Sequence, residues 1–418
     1  MQSTFTWQTS SAGSSFAAQA QSKRKKGKRR AMAAPYTRFP VSSRLKTLDA
    51  MTDVPAAAWD ALLTDNDKPF LTWGYLDALE QSSAVSPFNG WQPLHFTQWE
   101  GGELVAAAPA YLKTSSGGEY LFDGAWARAA DRMGLNYFPK LVLTVPFSAV
   151  PSRRILIRPG DEKHGQLLLD NLVDWARERR LSSIHFHFAD PPLVPRLETK
   201  GFARRLTVQY VWENAGYASY DDFLLRFTAR RRKLLKREAR RVFEQGFEIH
   251  TERGARHFDP ELAHRLYSAT VARYARGPEP LPLDYFRRLA AACPDAVEFV
   301  SARKGGQVVA GALNLAAGDR LYGRYWGSLD GHPFLHFAAC LYHPVAECIA
   351  LGRSRYHPGA GGEHKLTRGF TPTLAHSAHL MLDSRLDTRV REFLAHERAA
   401  LEQGLPLWER ETGFKSPA

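Results

Sequence analysis

The stretch GAGGEHKLTRGF, from Gly359 to Phe370, gathers the side chains best suited to chemistry in this 418-residue chain. Three glycines in four positions let backbone approach a ligand closely, and the loop beyond them carries Glu363, His364, Lys365 and Arg368. That set suits acyl transfer to an amine. Glu363 can take the proton that an attacking ammonium must lose and His364 can relay or return one. Lys365, Arg368 or backbone N–H groups can hold a phosphate or a developing oxyanion. The plainer alternative is that Glu363 pairs with Lys365 or Arg368 and only pins the loop.

Other chemistry-bearing residues are more scattered. Asp221 to Gly246 reads as one long helix ended by a glycine, with nine Lys/Arg between Arg226 and Arg241 and an apolar stripe through Leu224, Phe227, Leu235 and Val242. Its arginines suit the phosphates of a nucleotide-linked substrate or an RNA, and they equally suit a solvated helix with Glu238 and nearby carboxylates as partners. In SIHFHF, His185 and His187 alternate with Ile184, Phe186 and Phe188, the pattern of a half-buried strand. Two histidines at this spacing can begin a metal set, but no third ligand stands at a recognisable distance. His376 and His379 lack the Glu of a zinc-protease helix. No metal site is expected from the sequence. Tyr322, Tyr325, Trp326 and Phe337 read as core before they read as substrate-stacking groups.

The elements that must position these residues follow from hydrophobic period. A strand near RLKTLDAM and a helix at Pro55 to Leu63 open the ordered part. Next come the helix FLTWGYLDALEQS, a hairpin around Glu100 to Glu103, and the helix His164 to Leu181. A second cycle has helices ELAHRLYSATVARYA and DYFRRLAAACP, strand AVEFVSARK, a hairpin through Gly318, helix HFAACLYHPVAECIALG and strand SRYHPG entering the glycine-rich loop. Two such α/β cycles with hairpins imply two mixed-sheet units meeting near residues 205–222, with the basic helix close to their junction.

Composition bounds the class. With 44% hydrophobic residues the chain can build cores for two to three domains, which excludes fibrous, disordered and disulfide-stapled readings. The net charge of +13 is concentrated at the start, where residues 1–48 hold ten basic and no acidic side chains. Residues 1–40, with the run Lys23–Arg30, have no hydrophobic period and read as a disordered tail that grips RNA or acidic lipid, or is simply solvated. No stretch approaches the ~18–20 apolar residues of a membrane span. Cys293, Cys340 and Cys348 make no paired framework, and the expected location is the cytoplasm.

Several long blocks together resemble one family. FLTWGYLDALEQSSAVSPFNGWQP, APAYLKTSSGGEYLFDGAWARAADRMGLNYFPKLVLTVPFS, GALNLAAGDRLYGRYWGSL, LHFAACLYHP and GAGGEHKLTRGFTPTLAHSAH are similar to the bacterial FemAB-like N-acyltransferases, called peptidoglycan biosynthesis or recognition proteins. The resemblance runs from about residue 42 to residue 404. It implies a mixed α/β architecture in which the acyl-CoA N-acyltransferase (GNAT-like) fold is duplicated in tandem with an intervening basic helix. The units expected are a first domain at 41–205, a connecting segment at 206–250, a second domain at 251–404 and a C-terminal tail at 405–418. It also implies transfer of an acyl or aminoacyl group to an amine, on a small-molecule or peptide-linked acceptor of the cell-envelope type. Non-catalytic recognition of a glycan, peptide or RNA is the alternative.

Carried over by position, the first-domain motifs fall on Lys113, Glu119, Tyr120, Asp123 and Lys140. The second-domain motifs fall on Arg324, Tyr325, Trp326, His336, Glu363, His364, Lys365 and Arg368. Glu363 and His364 are the implied catalytic pair and the others are implied to bind substrate. No tightly bound cofactor is implied. The segment SLDGHPFLHF has one glycine where acetyltransferases cradle the CoA pyrophosphate, so the donor stays open between acyl-CoA and aminoacyl-tRNA, with tRNA as the corresponding partner.

Overall fold

A computed structural model describes residues 44–274 and 280–415. The basic run Lys23–Arg30 and the rest of the 1–40 tail lie outside the described residues. The first half of the chain supplies strands β1 (Arg44–Leu48), β2 (Trp91–Pro93), β3 (His95–Glu100), β4 (Glu103–Ala108), β5 (Ala110–Lys113), β6 (Lys140–Leu143), β7 (Leu156–Ile157), β8 (Ser183–Ala189) and β9 (Ala203–Glu213). The second supplies β10 (Phe247–Arg253), β11 (Val297–Lys304), β12 (Gln307–Ala317), β13 (Arg320–Ser328), β14 (Arg355–His357) and β15 (Thr371–Met381). Helices of the first half are α1 (Ala56–Asp60), α2 (Trp73–Gln81), α3 (Gly124–Arg132), α4 (Glu162–Glu178) and α5 (Val194–Thr199). They are followed by α6 (Tyr220–Leu225), α7 (Ala229–Glu244), α8 (Pro260–Tyr274), α9 (Leu283–Ala292), α10 (Leu335–Phe337), α11 (His343–Ala350) and α12 (Ser384–Glu411).

The strands form a four-stranded sheet, β1-β3-β4-β7, and an eleven-stranded sheet in the order β10-β11-β12-β13-β14-β9-β15-β8-β6-β5-β2. Two neighbouring pairs in the large sheet are parallel, β6 with β8 and β13 with β14, and the rest are antiparallel. Each half thus runs an antiparallel meander and then crosses through helix to a parallel strand, through α4 in the first half and through α10–α11 in the second. This is the tandem mixed α/β arrangement expected from the sequence.

The two sheets expected to meet are instead continuous. Strands β9 and β15, each of eleven residues, lie side by side and pair from Thr371 against Val211 to His379 against Ala203. The outer side of β9 then pairs with β14 of the second half, and the outer side of β15 pairs with β8 of the first. The last strand of each half therefore fills an edge that the other half would otherwise leave with open N–H and C=O groups. The apolar core crosses the same boundary. Trp59, Tyr75, Trp91 and Tyr111 share one cluster with Tyr285, Phe286, Leu313 and Tyr322.

Other differences have local causes. The single helix expected over Asp221 to Gly246 is two, because the Thr228 hydroxyl caps α7 by accepting from the Arg231 N–H and Phe227 bridges to Phe414. Helix α7 packs on edge strand β10 and the helical turn at Ala338–Tyr342 rather than at the junction of the halves. Its expected stripe, Leu235 and Val242, is buried together with Glu238. Strand β8 is buried on both faces. Helix α4 packs over the Ile184 and Phe186 side, while Trp126 of α3, backed by Phe393 of α12, packs over His185. Helix α12 runs on through Glu411, and no helix among the described residues is long and apolar enough to cross a membrane.

Candidate functional site

The site forms where a parallel pair separates. Strands β13 and β14 pair only from Arg320 to Tyr322 against Arg355 to His357, and beyond that point they diverge. Gly323 stands at the fork, where a Cβ would come within 3.0 Å of the Pro358 backbone. A cleft of about 420 Å³ opens there. Strands β12 and β13 also slip register, Leu313 facing Tyr325 and Asn314 facing Gly323, which leaves Arg324 as the extra residue of a bulge. Arg324, Tyr325 and Trp326 all line the cleft, with Asn314 beside them. The first half supplies the opposite wall through Tyr120, Gln209 and Tyr210.

Arg324 ties the two halves at this point. Its guanidinium donates to the Phe147 carbonyl at 2.6 Å and the Ser148 hydroxyl at 3.2 Å and lies 5.2 Å over the Phe70 ring, while its buried Nε has no hydrogen-bond partner. The amide nitrogen of Asn314 is likewise buried and unpartnered. Polar donors left unpaired inside a protein are costly, so both are natural places for a ligand oxygen.

The crossover helix between the forked strands widens into an i→i+5 turn over Ala338–Tyr342, a form frequent at functional sites. Tyr356 of β14 donates to the Cys340 carbonyl at 2.7 Å within this turn. His336, one turn earlier, faces His364 with ring centroids 5.9 Å apart. Burial, then the neighbouring His364, Lys365 and Arg368, push His336 down to about 4. His364 is exposed on its outer side, and partial burial, then the Lys365 and Arg368 cations, push it the same way. Both imidazoles are neutral at pH 7 and can accept a hydrogen bond or a proton.

The glycine-rich loop is held from within. Lys365 Nζ donates to the carbonyls of Gly359 at 2.8 Å and Gly361 at 2.6 Å, with Ala360 at 3.5 Å, and burial lowers its pKa to about 8. Arg368 lies behind the loop. It donates to Glu238 of α7, the Tyr342 hydroxyl and the His364 carbonyl, each at 2.8 Å, and sits 3.6 Å over Phe337. The donors expected to meet an anion are thus spent on holding the loop and the helix turn. Glu363 does not pair with either of them, is exposed, and raises the pKa of Tyr210 after burial does. Tyr210 and His364 line the cleft and Glu363 is not among its lining residues.

In the first half, the structure brings only Tyr120 of the expected set to the cleft. Lys113 and Lys140 are fully buried, and Glu119 and Asp123 nearly so. Lys140 pairs with Glu119 at 2.8 Å and with Asp123, which also accepts from the Tyr137 hydroxyl at 2.7 Å. Burial alone would raise Asp123, but Lys140 and its hydrogen bonds outweigh it and hold the carboxyl at about 2. Lys113 donates to the Gly117 carbonyl at 3.0 Å, lies 3.6 Å over Trp91 and is pushed by burial to about 7. The fork between β6 and β8 is filled by its own chain. Ser152 bridges Ala189, and the buried Arg154 donates to the His187 carbonyl at 2.6 Å and the Ser152 hydroxyl at 2.5 Å. Of two related forks, one is open and one plugged.

Sequence reasoning missed Asn314, Gln209 and His357 on the cleft wall. Asn314 had a signal, a lone amide inside the apolar run GALNLAA. Gln209 had none, because β9 was not recognised as a strand.

A model of the FemAB-like family, described as peptidoglycan biosynthesis/recognition, matches residues 50–416. No curated protein matches the chain by sequence. Among solved structures, FemX is 13% identical with a TM-score of 0.49, over 83% of this chain and 100% of that one. L-PGS from Bacillus licheniformis is 11% identical with a TM-score of 0.45, over 80% and 98%. A tandem GNAT protein from the clavulanic acid biosynthesis pathway is 11% identical with a TM-score of 0.42, over 81% and 98%.

Proposed function

The chain belongs to the FemAB-like peptidoglycan biosynthesis/recognition family, and from that premise we propose that it is an N-acyltransferase carrying an acyl or aminoacyl group to an amine on a cell-envelope precursor. The observation that carries this reading is the open fork between β13 and β14, walled by both halves, where the unpartnered Arg324 Nε and Asn314 amide stand with the neutral His364. The donor is acyl-CoA or an aminoacyl-tRNA, and the exposed Arg230, Lys233, Arg237, Arg240 and Arg241 of α7 suit the phosphates of the second.

In this reading the acceptor enters at the rim. Glu363 takes the proton its ammonium must lose, and the free amine attacks the donor carbonyl. The developing oxyanion is met by Asn314 and Arg324. The C–S or C–O bond of the donor then breaks, the adduct nitrogen gives up its second proton by way of His364 to the departing thiolate or tRNA alkoxide, and Glu363 releases the first to solvent. Lys365 contributes by fixing the loop rather than by gripping an anion.

The test is product mass. The full chain is incubated with acyl-CoA or charged tRNA as donor and amine-bearing peptidoglycan precursors as acceptor, and acceptor mass is read by mass spectrometry. A gain of one acyl group is expected. Glu363→Gln should lower kcat ~10²–10⁴-fold, and Arg324→Met should lower kcat and kcat/KM together. Tight binding of a glycan, peptide or RNA with no transfer from either donor would replace the enzyme by a recognition protein.

A further inference from the structure

Beneath the plugged fork lies a cluster that the transfer reading does not use. His185 and His187 of β8 are 0% and 2% exposed, and His379 of β15, which pairs opposite His185, is 1% exposed. One ring nitrogen from each lies within 4.8 Å of the others. His187 Nδ1 and His379 Nε2 have no hydrogen-bond partner. Glu119 reaches in from the loop after β5, with one carboxylate oxygen 3.8 Å from His187 Nδ1 and the other, also buried, unpartnered. The third histidine, which no spacing in the sequence could show, comes from a strand of the other half.

We propose that His185, His187 and His379, with Glu119 beside His187, form a buried site for a borderline first-row dication, with zinc as the fitting ion. Three imidazoles suit such an ion, and the Glu119 carboxylate stands beside them for a fourth position. The surroundings are those such a site needs. Ser183 Oγ lies 2.7 Å from His185 Nε2, which fixes that ring with Nδ1 turned to the cluster. His185 Nδ1 and His379 Nδ1 are 2.8 Å apart, so the rings already converge. Zinc–nitrogen bonds of about 2.0–2.1 Å require ring rotations on the order of 1 Å to close the set. Trp126 stacks on His185 and meets His379 edge-on, excluding water. Glu119 and Asp123 supply carboxylates on one side of the cluster, where Lys140 pairs with both, and Lys113, Arg154 and Arg205 lie around it. Bound there, the ion joins β8 of the first half to β15 of the second and staples the exchanged strand in place.

The full chain is produced in medium with cobalt(II) in place of zinc, passed over a chelating resin, and examined by visible absorption and metal analysis. One cobalt per chain is expected, with the strong d–d absorption of a four-coordinate site. His187→Gln and His379→Gln should each lose the band and the metal, while His376→Gln, on the same strand outside the cluster, should keep both. Folded wild type that shows no d–d band, or metal retained equally by His187→Gln/His379→Gln, overturns the site. Should that double variant not fold, the wild-type spectrum decides alone.

Discussion

Lys365 shows how the same residue type can serve the site in a way sequence does not distinguish. A lysine in a glycine-rich loop suggests an anion, yet its ammonium is aimed at three carbonyls of that loop. An anion contact would be screened by salt, whereas a buried clamp is not. Lys365→Met should therefore weaken donor binding by the same factor at low and high ionic strength, measured as KM or by titration. A loss that vanishes in high salt would restore the anion role. Arg368 makes the companion case. With Arg368 9% and Glu238 5% exposed, Arg368→Met leaves a carboxylate buried without its cation and should cost about 3–5 kcal/mol in urea unfolding. Adding Glu238→Gln should recover part of that loss. The loop's composition was legible in the sequence. The direction each side chain takes was not, because it depends on α7 and the turn at Ala338–Tyr342 lying behind it.

At the scale of elements, the forked pair depends on a few contacts between strand and helix. Tyr356 supplies the hydroxyl that satisfies the Cys340 carbonyl, so Tyr356→Phe leaves a buried acceptor unmet and should cost about 1–3 kcal/mol. Strand β13 is pressed against α8 so closely that a Cβ on Gly327 would fall 2.1 Å from the Leu266 carbonyl carbon. His357 stacks on Tyr322 with centroids 5.2 Å apart, and burial, then Arg355 and Arg320, push it down to about 3. Its folded pKa lies below the ~6.5 of a free imidazole, so on acidification the unfolded chain binds the proton first. Its contribution to stability is full above about pH 6.5 and falls as pH drops from there toward about 3. The melting temperature should fall over that window, and more gently in His357→Phe. An unchanged slope would mean that His357 is not held neutral. Most helices and the hairpins were legible from period and turn residues. Strands β9 and β15 were not, since RRLTVQYVWE and TPTLAHSAHLM mix polar and apolar residues without clean alternation, as suits strands placed between those of the other half.

The whole molecule rests on that exchange. Residue ranges suggest two units in succession, but β9 lies between β14 and β15, and β15 lies between β9 and β8. A chain cut at the exposed turn around Gly216 gives fragments 44–216 and 217–415. Alone, the first would leave β8 and β9 without the strand that joins them, and the second would leave β14 and β15 in the same condition. Each would also bare its side of the shared core that brings Tyr75 and Tyr111 against Tyr285 and Tyr322. Unpaired strand edges and an exposed apolar face favour aggregation over folding. Neither fragment should give a cooperative unfolding transition when expressed alone. The two expressed together should copurify as a one-to-one complex that regains the wild-type circular dichroism spectrum, because the cut removes no strand and only one backbone connection. A cooperative transition in either fragment by itself would show that the halves are independent and that the strand exchange is incidental to stability. The cleft is built from both sides of the same arrangement, with Tyr120 and Gln209 facing Arg324 and His364. The reassembled complex should therefore recover ligand binding together with its fold, and a complex that refolds without binding would separate the two.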